Sequence, residues 1–357
     1  MGVFSCDLVN NNLIVCDMKN LFEHLLILRS PKIGPVAYND LLNKFGSVDA
    51  VISMLNPSNE FRDSVMREID AAEKLGVQFI SDSDDLYPQN LRTVKNHPPI
   101  ITVRGNVKTL CCESVAMVGT RHATAVGMNF IADMACAFAN HKITVVSGMA
   151  MGTDTAAHRG ALRACGDTNT IAVLAGGVDY IWPIENEKLY YEILERGVIV
   201  SEMPVGFIPN GSNFVQRNRI IAGIGSKLIV GEADSKSGSM KTAGFAQEYG
   251  RKIYAIPSHP ADSRAVGPNS LIRSGTAILC QGPQDFFTDV VVNEKKEKKI
   301  ESENIILDNI GTIPVSESVL AEIVGKNISE IKRDLVVLEL QGLIQKCDSG
   351  YVRVMLK

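Results

Sequence analysis

Between about Leu86 and Val291, short apolar runs alternate with segments of helical periodicity, and this alternation restricts the chain to few folds. The runs at Ser114 to Val118, Ile143 to Ser147, Thr170 to Leu174, Val198 to Ser201, Lys227 to Val230, Lys252 to Ile256 and Ala277 to Leu279 read as strands. Helical patterns such as Val126 to Asn140, Thr155 to Ala164 and Met240 to Tyr249 lie between most of them. Strands that are apolar throughout need helices on both faces, which predicts a mainly parallel, Rossmann-like α/β sheet. Ligands of such sheets gather at the carboxyl ends of the strands.

Outside this span the pattern changes. Leu21, Phe22, Leu25, Leu26 and Leu28, then Leu41, Leu42 and Phe45, recur at helical spacing and predict a small helical domain over residues 1–84. Within it, Leu28 to Pro35 resembles a helix-hairpin-helix turn in which Lys32 stands where a first glycine is expected, which favours packing over phosphate contact. The Rossmann-like domain is assigned to residues 85–291. Residues 292–302, with Lys295, Lys296, Lys298 and Lys299, read as a charged linker. Over 303–357, three helical patterns (Ile305 to Ile310, Val315 to Val324, Ser329 to Leu340) precede two strands, Ile344 to Lys346 and Tyr351 to Val354, joined by a turn at Asp348-Ser349-Gly350, the order of a winged helix-turn-helix. Its recognition helix carries Lys332 and Arg333 but also Glu330, Asp334 and Glu339, so a protein partner suits it at least as well as duplex DNA.

The net charge of −4 argues at first against a nucleic-acid partner, but the average conceals a split. Residues 1–90 hold 13 acidic against 7 basic side chains, whereas residues 204–281 hold 9 basic against 4 acidic. No apolar run is long enough for a membrane span, and the amino terminus lacks a basic start followed by an apolar stretch, so a cytoplasmic protein is expected. The eight cysteines are scattered without a C-x-x-C pair and are expected to be reduced and mostly buried; no metal and no cofactor are expected.

Three glycine turns follow predicted strands: Gly119-Thr120-Arg121, Ser147-Gly148 with Gly152, and Gly176-Gly177. On one sheet edge they would line a common cleft, with close backbone approach, a hydroxyl and a fixed charge for phosphate. The richest stretch runs from Phe214 through Arg217, Asn218 and Arg219, followed by Ser237-Gly238-Ser239 and Lys241 at a helix start. Both suit an extended polyanion, with Asn218 as a backbone clamp. In the alternative reading, Arg217 or Arg219 pairs with a carboxylate such as Glu202 or Glu232. Phe214 is a candidate to stack a base, with core packing as the alternative.

The strings Ala116 to Arg121, Ser147 to His158, Arg217 to Gly223 and Ser237 to Ala243 closely resemble, in order, the DNA-processing protein A family, also called Smf. The resemblance spans residues 85–281 and implies a Rossmann-like domain that holds single-stranded DNA, assembles as a homodimer and helps load the RecA recombinase during natural transformation. It also implies that the family's Gly-Ser-Arg turn falls on Gly119, Thr120 and Arg121, its Arg-Asn-Arg element on Arg217 to Arg219, and its Ser-Gly-Ser turn on Ser237 to Ser239. Two departures stand out, Pro257-Ser258 for the usual Pro-Gly and Gly267-Pro268-Asn269 for a later Gly-Thr-Asn. On this reading, alanine at both Arg217 and Arg219 weakens binding and leaves the fold intact.

The main rival is an enzyme, a nucleotide phosphoribohydrolase of a lysine-decarboxylase-like family. Ala175-Gly176-Gly177 lacks that family's preceding proline and following Gly-Thr, and Glu248 is a loose echo of its catalytic acid. A phosphate loop is excluded because Met240 and Ser235 occupy the positions of its glycines before Lys241. His158 has no nucleophile-elbow serine beside it and reads as a helix-packing residue. The expectation is therefore a protein that is not an enzyme.

Overall fold

A computed structural model describes residues 18–166, 169–287, 305–311, 314–347 and 350–354. The proposed linker at 292–302 lies outside them. The chain forms two compact units, residues 1–291 and 292–357.

The first unit opens with four helices, α1 (Met18–Leu28), α2 (Pro35–Phe45), α3 (Val48–Leu55) and α4 (Asn59–Lys74), where the apolar spacing places them. Lys32 takes φ 66°, the left-handed conformation that the missing glycine would supply at lower cost. Nine strands then build one sheet: β1 (Gln78–Ser81), β2 (Ile100–Gly105), β3 (Ser114–Val118), β4 (Thr144–Ser147), β5 (Thr170–Val173), β6 (Gly197–Ser201), β7 (Lys227–Val230), β8 (Lys252–Ala255) and β9 (Ile278–Leu279). Their order is β1-β2-β6-β5-β4-β3-β7-β8-β9. The strands from β6 across to β9 are parallel, while β2 runs antiparallel to both β6 and β1. The Rossmann-like expectation holds, with an antiparallel pair added at one edge.

Eight helices accompany the sheet among the described residues: α5 (Gln89–Arg92), α6 (Ala125–Asn140), α7 (Thr153–Arg163), α8 (Glu187–Arg196), α9 (Gly211–Ile224), α10 (Gly238–Glu248), α11 (Val266–Arg273) and α12 (Pro283–Phe287). Side chains of β3 alternate between two cores. Ala116 and Val118 pack with Ile220, Ile221, Ala243 and Ala246 of α9 and α10, whereas Val115 and Met117 pack with Ile131, Phe138, Ala157 and Ala161 of α6 and α7. Burial on both faces explains why the middles of these strands are apolar, with polar residues confined to their ends. From β3 the chain crosses to β4 on one side, and β7 later occupies the other side. The carboxyl ends of β3 and β7 therefore flank a topological switch point, where crevices open in doubly wound sheets.

The second unit contains α13 (Ile305–Asp308), α14 (Glu317–Val324), α15 (Ile328–Leu340) and the antiparallel pair β10 (Ile344–Cys347) and β11 (Gly350–Arg353). Ile306, Leu320, Ile331, Leu335, Ile344 and Tyr351 form its core. The cysteines correct one expectation. Six are free among the described residues, and of these only Cys280 is buried; Cys111, Cys112, Cys165 and Cys347 fall at element ends and turns, while Cys136 is half-buried inside α6.

Candidate nucleic-acid interface

A cleft of about 560 Å³ opens at the switch point. Its wall carries Gly119, Thr120 and Arg121 after β3, Ala150 and Asp154 after β4, Trp182 beyond β5, one face of α9, and Lys236 to Ser239 with Lys241 and Thr242 at the start of α10. Ser237 caps α10 by accepting the Met240 amide at 3.4 Å, and Ser239 donates to the Gly119 carbonyl at 2.6 Å, fastening the helix start to the first turn. Asn218 donates to the Gly238 carbonyl at 3.2 Å, tying α9 to the start of α10.

The cleft brings together Gly119, Thr120, Arg121, Phe214, Arg217, Asn218, Ser237, Gly238, Ser239 and Lys241, but neither Ser147, Gly148 nor Arg219 lines it. The helical geometry of α9 excludes Arg219. Residues two apart on a helix point about 200° from one another, so Arg217 faces the cleft and Arg219 faces away. Arg219 instead pairs with Glu202 and donates to the Asn96 carbonyl at 2.8 Å, in a second cavity of about 470 Å³ beside the amino-terminal helices. The carboxylate alternative is realised for that residue. Ser147 is buried and donates to the Met117 carbonyl at 2.7 Å.

Arg217 reaches the cleft floor without being free. Its side chain is buried and donates to the carbonyls of Gly148 (2.7 Å) and Val173. Burial lowers its pKa to about 10, against the opposing influence of the Asp154 carboxylate. Burial in turn raises the pKa of Asp154, which Arg217 and the Ala150 amide (3.3 Å) pull back down. The two charges compensate each other inside the protein. Gly148 is small for this reason: a Cβ there would lie 2.5 Å from the guanidinium.

The second and third glycine turns also do structural work. Gly152, at φ 75°, packs under the first turn, where a Cβ would meet the carbonyls of Thr120 and Arg121 at 2.5 and 2.6 Å. Gly176 and Gly177 lie beneath residues 204–209, with the Gly177 amide donating to the Phe207 carbonyl at 3.0 Å. The three turns share an edge, but only the first lines the cleft with its glycine; the second contributes Ala150 and Asp154 and the third nothing. His158 is buried, with Nδ1 on Thr170 Oγ1 at 2.7 Å and Nε2 accepting the Met149 amide at 3.3 Å. Burial and Arg217 lower its pKa to about 3, so it is a neutral packing residue.

Arg121, Lys236 and Lys241 remain exposed in the cleft, and none of them has an ion pair among the described residues. Asp154 is the one acid on the wall and is already offset by Arg217. The surface left over is cationic, with free amides of α10 beside it, in a chain of net charge −4. Trp182 and Lys236 were not singled out from the sequence. The first is the chain's sole tryptophan, and the second immediately precedes a helix cap. Among the described residues, no group of three or more His, Cys, Asp or Glu side chains could hold a metal, and no helix is long and apolar enough to cross a membrane.

The sequence profile of DNA recombination-mediator protein A matches residues 78–291, and that of the DprA-like N-terminal HHH domain matches residues 19–74. The chain belongs to the DNA-processing protein A family. Protein Smf of Synechocystis is 32% identical over 305 residues, 84% of this chain and 69% of the relative. Protein Smf of Escherichia coli K12 is 30% identical over 308 residues, 82% of each. The X-ray structure of DprA from Streptococcus pneumoniae superposes with a TM-score of 0.64 at 31% identity, covering 75% of this chain and 97% of that one. A Helicobacter pylori DprA structure, described for its single-stranded DNA binding mode, gives a TM-score of 0.54 at 29% identity, covering 60% of this chain and 95% of that one.

Proposed function

We propose that the cleft binds single-stranded DNA through its phosphates, and that this family member is a non-catalytic recombination mediator that protects incoming strands and helps load the RecA recombinase during natural transformation. The observation that carries the reading is the set of Arg121, Lys236 and Lys241 around the amino-terminal turn of α10, exposed and without an ion pair among the described residues. Guanidinium and ammonium groups neutralise phosphates, and the amides of Gly238 and Ser239 fix an oxygen between them. Membership of a recombination-mediator family and likeness to the Helicobacter pylori protein support the choice of ligand. Catalysis is disfavoured because both nitrogens of His158 are engaged and Asp154 is neutralised from within. Glu248, the acid of the hydrolase reading, ends α10, about 15 Å from the helix start at 1.5 Å per residue.

The proposed domain assignment is that 1–84 is a helical domain, 85–291 holds the strand, 292–302 links and 303–357 is a winged helix that suits a protein partner at least as well as duplex DNA. Function in the cytoplasm as a homodimer completes the proposal. The test is salt-dependent binding of single-stranded against duplex DNA. Alanine at Arg121, Lys236 or Lys241 should each lower the slope of log affinity against log salt by roughly 0.7. Equal affinity for duplex, or an unchanged slope in a folded triple variant, would refute the proposed groove.

A further inference from the structure

Both departures from the family pattern, Ser258 and Gly267-Pro268-Asn269, lie in the loop between β8 and α11 and in the first turn of that helix. They close the loop at its base. The Asn269 side chain accepts the Ser258 amide at 3.2 Å and donates to the Ser258 carbonyl at 2.8 Å. The Gly267 amide donates to the Ala233 carbonyl at 2.9 Å, and a Cβ on Gly267 would lie 2.5 Å from that oxygen. The Ala233 amide in turn donates to the Arg264 carbonyl at 2.7 Å, so the loop is fastened to the segment that follows β7.

From this base the Arg264 side chain reaches the first glycine turn. Its Nε and Nη2 atoms donate to the Asp262 carboxylate at 2.9 and 2.8 Å, and Nη1 donates to the His122 carbonyl at 3.2 Å. Hydrogen bonds from the Arg264 side chain and amide hold the Asp262 carboxyl down at about 2, so the pair stays ionised. Glu232 secures both ends of the turn: its carbonyl accepts the Thr120 amide at 2.6 Å, and its carboxylate accepts the Thr124 amide at 2.7 Å. Arg121 and His122 lie exposed between these anchors, where the Arg264 guanidinium supplies a crosslink. His122 lines the cleft and Arg264 does not.

We propose that Arg264, locked by Asp262, is a positioning residue that presets the turn at residues 119–124 for a phosphate, acting through the backbone of His122 rather than by touching the strand. The inference rests on the single-strand reading above and adds to it a residue outside the cleft that sets affinity. A planar guanidinium suits the task, because its fork engages a carboxylate with two donors and leaves a third for the carbonyl. Without this brace, the strand has to order the middle of the turn as it binds. Fixing one residue's backbone costs roughly a factor of ten in affinity. The charge of Arg264 is offset by Asp262, so its loss leaves the salt dependence as it was.

The test is anisotropy of the full-length protein with a dye-labelled oligothymidylate across a salt series, with circular dichroism to check the fold of each variant. Arg264→Gln should bind roughly ten-fold more weakly with an unchanged slope of log affinity against log salt, whereas Arg121→Ala lowers that slope by roughly 0.7. Arg264→Lys keeps the charge, loses the fork and should be as weak as Arg264→Gln. Asp262→Ala makes the chain more positive and should still weaken binding. These two variants carry the test if Arg264→Gln does not fold. A slope lowered by roughly 0.7 in Arg264→Gln, parental affinity in Arg264→Lys, or tighter binding by Asp262→Ala would make Arg264 a phosphate contact and overturn the brace. Parental affinity in Arg264→Gln overturns it too and leaves the single-strand reading standing. If the parent itself does not change the anisotropy, that reading falls and the brace with it.

Discussion

Replacing Arg217 by methionine tests how this cleft is built, because the side chain sits on the wall and yet belongs to the interior. Methionine keeps the length and loses the charge and the donors. Two carbonyls, of Gly148 and Val173, lose their partner, and Asp154 loses the charge that compensates it. A buried carbonyl left without its donor costs roughly 1–3 kcal/mol, and Asp154 loses a favourable neighbouring charge besides. The expected loss is about 4 kcal/mol at pH 7, a large share of a typical domain's stability. The pH dependence has a definite sign. Asp154 already has a folded pKa above its ordinary 3.8, and removing Arg217 raises it further. A carboxyl with a raised folded pKa favours the folded state most at low pH and penalises it as pH rises through that value, so the deficit of the variant should shrink as pH is lowered from 7 toward 5. Adding Asp154→Asn should recover about half of the loss at pH 7, since no buried charge then remains. Urea unfolding followed by the emission of Trp182 and by circular dichroism measures all of this, with exposed Arg121→Ala as a reference expected to lie within about 0.5 kcal/mol of the parent. Arg217→Met within about 1 kcal/mol of the parent, with no pH dependence of the difference, would refute the reasoning. The sequence-based expectation that alanine at Arg217 and Arg219 spares the fold is replaced by this one.

His158, held neutral with its pKa near 3, should make folding weaken as pH drops below its ordinary 6.5, by about 1.4 kcal/mol per pH unit. His158→Asn should flatten the stability profile between pH 6.5 and 5 in urea titrations, and an equally steep profile in that variant would count against the assignment. Gly152→Ala, with φ 75° and two carbonyls within 2.6 Å of the new Cβ, should cost more than 2 kcal/mol and lower the melting temperature measurably. A chain ending at Val291 should keep most single-strand affinity when its oligomeric state is unchanged, because the exposed cations of the cleft all precede that point; gel shifts at low salt that find binding abolished would move the site to the second unit.

What the sequence made legible follows the physics of burial. Strands β3 to β8 were readable because a strand covered on both faces is largely apolar, and the helices between them because they carry one apolar stripe. The pair β1 and β2 escaped notice because it joins the sheet by antiparallel pairing, without the crossover helix that marks the other strands. Helix α9 escaped too, since it buries Ile220, Ile221, Ala222 and Ile224 while placing polar residues in two different cavities, which blurs any single stripe. That one omission accounts for the error at Arg219: residues i and i+2 share a face on a strand and oppose each other on a helix. Trp182 comes from a loop, where no periodicity operates, and its only trace was being the sole tryptophan in 357 residues.

The charge of the cleft was the least legible property, for a reason that holds beyond this chain. Counting basic residues along a sequence cannot tell which ones find counter-ions after folding. Of the arginines that looked alike around Asn218, one is offset by Asp154 and the other is paired with Glu202, whereas Lys236 and Lys241, in a segment that also holds Asp234, are exposed without an ion pair among the described residues. The buried arginine shapes the floor, its donors spent on two backbone carbonyls and the Asp154 carboxylate opposing its charge. The exposed ones keep theirs, so they alone should set how steeply binding falls with salt. A family motif and a binding contact are therefore separable here: Arg217 belongs to the motif and supports the site through stability, while Lys236, outside every motif quoted for the family, is a contact that should appear directly in the salt slope.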